Sequence, residues 1–150
     1  MAAAGATAAI GKTYPPTLYA VGREKIREYA AAVGETNPLH HDVEVARAAG
    51  HRDLVAPPMF AVVYLLPAIH APIFDPELGI DFAHLVHGGQ ELSWGPLVVA
   101  GDEIETTVTI EDVSERAGMR FYVLGSVSLN QDGETVSSGT WTNIVRGAGT

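Results

Sequence analysis

Residues 57–69 read Pro57-Pro58-Met59-Phe60-Ala61-Val62-Val63-Tyr64-Leu65-Leu66-Pro67-Ala68-Ile69, and the way this stretch is housed decides the fold. Pro57 suits the first turn of a helix, where its missing N–H costs nothing. From Met59 to Leu66 nearly every face of such a helix is apolar, so the helix has to be buried. The spacing predicts a helix over Met59–Ile69 that Pro67 and Pro72 kink or end. At this length it is too short for a membrane span, which takes about 20 apolar residues.

What buries it lies downstream. Ile104, Thr106, Val108 and Ile110 alternate with Glu103, Glu105, Thr107 and Thr109, the period of a half-buried strand. Phe121, Val123 and Val127 repeat that period, Asp132-Gly133 supplies a hairpin turn, and Val136 to Val145 returns. With Leu85–Trp94, four consecutive strands follow the helices, and strands joined by short turns pair antiparallel. The helix stays dry only if this sheet wraps around it, which predicts an α+β fold, an antiparallel sheet curled about a central apolar helix. A curled sheet leaves an edge, and pairing with a second copy would hide it, so a dimer is expected.

Upstream, residues 1–13 begin with a small apolar run that lacks the basic start and long apolar core of a signal peptide, and they read as a flexible tail. Tyr14-Pro15-Pro16 sets an extended entry. Ile26, Tyr29, Ala30 and Val33 then mark an amphipathic helix over Arg23–Val33 with Gly34 as its stop. Asp42 can cap a short helix running through Ala48 and ending at Gly50. Residues 14–146 form a single domain on this reading.

The chain has 150 residues, with 9 Lys and Arg against 18 Asp and Glu, a formal charge of −9, and no cysteine. Without Cys there are no disulfides, thiolate zinc sites or cysteine nucleophiles. The acidic balance argues against a nucleic-acid partner, which requires clustered Lys and Arg. A location in the cytoplasm, away from membranes, is the default expectation.

Glu35-Thr36-Asn37-Pro38-Leu39-His40-His41-Asp42 is the most chemically loaded stretch. A carboxylate and a neutral imidazole that converge can activate water near neutrality. The same residues also read as turn chemistry at Asn37-Pro38 and a helix cap at Asp42, and from spacing alone that is the commoner outcome. No metal is expected, because adjacent loop residues point different ways and no second ligand cluster is visible. Val86-His87-Gly88-Gly89-Gln90 lacks the Lys and following helix of a phosphate loop, and Trp94 and Trp141 read as core or interface aromatics.

Three ordered blocks across residues 14–146 resemble the MaoC-like hot-dog family of (R)-specific enoyl-CoA hydratases and 3-hydroxyacyl-thioester dehydratases. Gly34-Glu35-Thr36-Asn37-Pro38-Leu39-His40-His41-Asp42 is similar to the family's Asp-x-Asn-Pro-x-His-x-Asp pattern. Asp53-Leu54-Val55-Ala56-Pro57-Pro58-Met59 stands where the family reads Ile-Ala-His-Gly-Met. Val86-His87-Gly88-Gly89-Gln90 through Pro96-Leu97-Val98-Val99-Ala100-Gly101-Asp102 resembles its strand and Pro-x-x-x-Gly-Asp turn. The opening and Ala56-Pro57-Pro58 look most like the N-terminal-dehydratase-like branch, some of whose members are non-catalytic acyl-binding halves of heterodimers and lose the His.

The resemblance implies catalytic roles for Glu35, in the Asp place, for Asn37 and for His40, and substrate contacts at Pro58, Met59, Phe60, His87 and Gly88. His41 has no family counterpart and is read as solvated or supporting. The implied substrate is an acyl-CoA or acyl carrier protein thioester, with no cofactor. The implied assembly is a homodimer, or a heterodimer with a second hot-dog chain. Two departures stand out: Glu35 is one methylene longer than Asp, and Pro58 replaces the glycine whose N–H faces the thioester oxygen. Donation would then pass to Met59, with the helix dipole behind it. Two alternatives stay open, an acyl-binding subunit and a hot-dog thioesterase, the latter opposed by the lack of Asp or Glu in Met59–Ile69.

Overall fold

The computed structural model describes residues 2–147. Five strands form one antiparallel sheet in the order β1-β3-β4-β5-β2: β1 Thr17–Ala20, β2 Leu85–Trp94, β3 Glu103–Arg116, β4 Met119–Leu129 and β5 Thr135–Arg146. The expected alternation holds in β3, where Ile104, Thr106, Val108 and Ile110 are all buried. β1 was not anticipated, and β2 does not pair with β3, its successor in sequence. It crosses to the far edge and pairs with β5, from Leu85 opposite Val145 to Trp94 opposite Ser137. β1 and β2 are therefore the two edges.

The central helix is longer than its prolines suggest. A 3-10 turn, Pro58–Phe60, leads into α4, Ala61–Ile73, which runs through both Pro67 and Pro72. Each interior proline costs about 3 kcal/mol. Leu65, Ala68, Ile69 and Ile73 are buried beyond or beside them, and a fully buried Leu or Ile returns about 1.5–3 kcal/mol, so packing carries the helix past both breaks. Its inner side meets Tyr122, Leu124 and Val145 at one end and Ile104 and Val136 at the other. Burial on every face does not follow: Met59 is 44% exposed and Leu66 43%.

The expected flexible tail is also corrected. Residues Ala2–Ala8 form a helix, α1, and Ala6 and Ala9 are buried against Ile69, Ile73 and Ile110. Alanine is the best helix former, and a methyl side chain lets the helix lie close to its neighbours. Gly11 N–H donates to Ile110 O, and Ile110 N–H to Lys12 O, joining the segment to β3.

The remaining helices are as expected. α2, Arg23–Ala32, buries Ile26 and Ala30, and Gly34 follows it at φ +72°, the left-handed stop that favours glycine. α3, Val43–Ala48, is capped by Asp42, whose Oδ1 accepts from Glu44 N at 2.9 Å and Val45 N at 3.3 Å. Among the described residues no helix is long and apolar enough to cross a membrane.

Candidate functional site

The loop between α2 and α3 is built from its own side chains. Asn37 Oδ1 accepts from Leu39 N at 3.0 Å and starts a 3-10 turn over Pro38–His40. One carboxylate oxygen of Glu35 accepts from Asn37 N at 2.9 Å. That backbone hydrogen bond, aided by His40 and His41 nearby, holds the Glu35 carboxyl below the ordinary range. His41 is supporting: its Nε2 donates to Glu35 O at 2.7 Å, and its own carbonyl accepts from Arg27 Nε at 3.0 Å.

His40 is the buried member of the loop, 7% exposed. Its Nδ1 lies 2.6 Å from Val55 O. A carbonyl only accepts, so Nδ1 carries a proton, and in the neutral ring Nε2 then presents its lone pair. No residue among those described is bonded to Nε2. The 3-10 turn thus holds one imidazole in the tautomer a base needs, on the same short loop as an ionised carboxylate.

The segment that receives His40 continues into the helix start. Val55 pairs with Val99, Ala56 N donates to Val98 O at 2.8 Å, and Ala100 N donates to Leu54 O at 2.9 Å. Asp102 clamps this turn from beneath. It is 3% exposed, its Oδ2 accepts from Val99 N, and its Oδ1 accepts from Arg52 and from Gln131 Nε2.

The next residues along the chain, Ala56 to Pro58, wall an apolar cavity of about 250 Å³, with Phe60, Tyr64, Trp94, Leu97 and Val136 also in its lining. Trp94, read from sequence as core or interface, is 51% exposed at its rim and donates from Nε1 to Pro58 O at 2.9 Å. Gly95 lets the end of β2 pass close to Thr135, since a Cβ there would stand 2.0 Å from the Thr135 carbonyl oxygen. At the helix start Pro57 and Pro58 have no N–H, and Phe60 N donates to Pro57 O at 2.9 Å. The Met59 amide is the first of the helix, where amides lack intrahelical partners.

The structure separates the expected residues into three places. Glu35, Asn37 and His40 share the polar loop and do not line the cavity. Pro58 and Phe60 line it, and Met59 lies between them at the helix mouth without lining it. His87 and Gly88 are elsewhere: the His87 ring packs edge-on against Trp141, centroids 4.6 Å apart, at a bulge in β2. Gly88 lies against the Ile144 side chain, whose Cδ1 would stand 2.5 Å from a Cβ there and would have to move. Among the described residues no group of His, Asp and Glu is arranged to hold a metal ion.

An open antiparallel sheet packed against one central helix is the plan of MaoC-like hot-dog proteins of the dehydratase and hydratase class. The FAS1-like dehydratase domain region model matches residues 8–138, and the chain belongs to that family. It is 44% identical to a UPF0336 protein of Saccharopolyspora erythraea over 92% of this chain and 89% of that one. It is 45% identical to UPF0336 protein Lxx02810 of Leifsonia xyli over 91% of this chain and 93% of that one. Among solved structures, a chain of the HadBC (3R-hydroxyacyl-ACP dehydratase) complex of Mycobacterium tuberculosis superposes with TM-score 0.75 at 30% identity, covering 91% of this chain and 96% of that one. The unliganded R-hydratase PhaJ1 of Pseudomonas aeruginosa shares the fold, with TM-score 0.69 at 19% identity over 91% of this chain and 81% of that one.

Proposed function

We propose that this protein is a cytoplasmic hydro-lyase that adds water to 2-enoyl thioesters, or removes it from (R)-3-hydroxyacyl thioesters, carried by coenzyme A or acyl carrier protein. The observation that carries the reading is the His40 tautomer, with Nδ1–H spent on Val55 O and Nε2 left free on the Glu35 loop. In the hydration direction, Nε2 takes a proton from water as the water oxygen bonds C3. The C2–C3 π electrons move toward the thioester oxygen, and the Met59 N–H steadies the charge there. The imidazolium then returns its proton to C2. Glu35 is a poor proton carrier because its carboxyl is held ionised. Its part is to orient the water and stabilise the imidazolium, while Asn37 holds the loop turn that places both.

The apolar cavity receives the acyl chain. The open β2 edge supports assembly as a homodimer, or as a heterodimer with a second hot-dog chain. Hydration of enoyl thioesters by the purified chain, lost in His40→Asn, tests the reading.

A second reading is favoured by one observation: Glu35, Asn37 and His40 do not line the acyl cavity. In it the chain is the acyl-binding half of a heterodimer whose partner supplies the dyad. Turnover that appears only after addition of a hot-dog chain with Asp-x-Asn-Pro-x-His, and that survives His40→Asn here, would select it.

A further inference from the structure

The cavity behind the helix mouth reaches Tyr64 on the helix and Val136 on the sheet. Tyr64, from α4, is 2% exposed and Ser137, from β5, 1%. The Tyr64 hydroxyl donates to Ser137 Oγ at 2.9 Å, a buried polar cross-link between helix and sheet at the boundary of an otherwise apolar space. Phe60 braces the Tyr64 ring with centroids 6.4 Å apart, and is itself held edge-on by Tyr29 at 5.6 Å. Deeper in the molecule the space between helix and sheet is filled by Ala68, Ile69, Tyr122 and Leu124, all buried. A chain entering past Trp94 and Leu97 therefore stops at Tyr64.

We infer that Tyr64, cross-linked to Ser137, sets an upper limit on acyl length and makes this a pocket for short and medium chains. The inference rests on the acyl-thioester reading above. A cavity of about 150 Å³ takes benzene, six carbons. On that scale the 250 Å³ here takes an acyl tail of about ten carbons. Longer tails have to leave carbons in water or open the Tyr64–Ser137 link, which strands a buried hydroxyl.

The test is calorimetric titration of the full chain with saturated acyl-CoAs, from four to sixteen carbons. Affinity should rise about fourfold per added methylene until the limit near ten carbons, then level or fall. Tyr64→Ala should raise the limit by about a ring's worth of carbons. In case that variant fails to fold, Ala61→Leu works in the opposite sense: Ala61 lines the same cavity, and the three added carbons should lower the limit by about three. A limit that stays put in a folded Tyr64→Ala and in Ala61→Leu, or affinity that climbs unbroken to sixteen carbons, overturns the assignment of Tyr64 while leaving the acyl reading intact. Failure of acyl-CoAs and of acyl carrier protein thioesters of every length to bind overturns both.

Discussion

Replacing His40 separates its two roles. The ring donates through Nδ1 to Val55 O, on a residue only 4% exposed, and on the hydro-lyase reading offers Nε2 to the reaction. His40→Ala removes both and leaves a buried carbonyl without its donor, which costs about 1–3 kcal/mol. At about 2–4 °C of Tm per kcal/mol for a chain of this size, the midpoint of that range is a fall of about 4–8 °C. His40→Asn keeps a donor close to the Nδ1 position and deletes only the base. Its Tm should stay within about 2 °C of the parent, while kcat for enoyl-thioester hydration falls by about 10²–10⁴. Absorbance at the enoyl thioester band follows the reaction, and calorimetry follows stability. If His40→Asn loses Tm as His40→Ala does, the hydrogen bond to Val55 is not what holds the ring. If it keeps activity within tenfold, Nε2 is not the base.

Glu35→Gln should lower kcat on the order of a hundredfold. In the parent, the pH profile should show no loss from Glu35 until below the ordinary carboxylate value of about 4.3, since its folded pKa is depressed; an acid limb assigned to Glu35 near 6 would contradict this. His41→Ala should cost about 1 kcal/mol through its bond to Glu35 O and change kcat less than tenfold, and a loss equal to that of His40→Asn would reverse the two assignments. Arg23 grips Asp53 through Nε at 2.8 Å and a terminal nitrogen at 2.6 Å, and this holds the Asp53 carboxyl at about 2. Because that pKa is depressed on folding, the stabilisation is full above about 4 and fades as pH falls toward 2. With Arg23 47% exposed, Arg23→Ala should cost about 1 kcal/mol by denaturant titration at pH 7, shrinking in salt, and an equal cost at pH 2 would refute the ionic account.

Period and punctuation revealed most of the architecture. The alternation from Glu103 to Ile110 reports its inward face directly, because a strand has only two faces. The Asp42 cap and the Gly34 stop are local devices whose residues carry their own geometry. The elements that escaped prediction depend on distant partners. β1 holds four residues, and its ladder with residues 103–106 is what makes it a strand. The placement of β2 beside β5 is a choice among sheet neighbours that no local pattern records. α4 passes Pro67 and Pro72 because Leu65, Ile69 and Ile73 find a sheet to bury against, a tertiary term larger than the local penalty. The alanine-rich start forms a helix for the same reason, once Ala6 joins the core cluster that holds Ile69, Ile73 and Ile110.

The polar loop was visible in the sequence because its residues lie within eight positions, 35–42, and bond to one another. The cavity was not, since its walls come from residues 56–64, 94–98 and 136, and a volume between such segments has no period. What joins the two is the stretch from Leu54 to Pro58. Its Val55 carbonyl takes the His40 hydrogen bond, its Ala56, Pro57 and Pro58 wall the cavity, and its register on Val98–Ala100 is held by two backbone hydrogen bonds at 2.8 and 2.9 Å. The distance from His40 to the mouth of the cavity therefore depends on this register, and the buried Asp102 clamp on the Val99 amide supports the register. On the hydro-lyase reading, that places control of alignment in a turn that does not carry the dyad, where a misplacement of about 1 Å is enough to cost a hundredfold in rate.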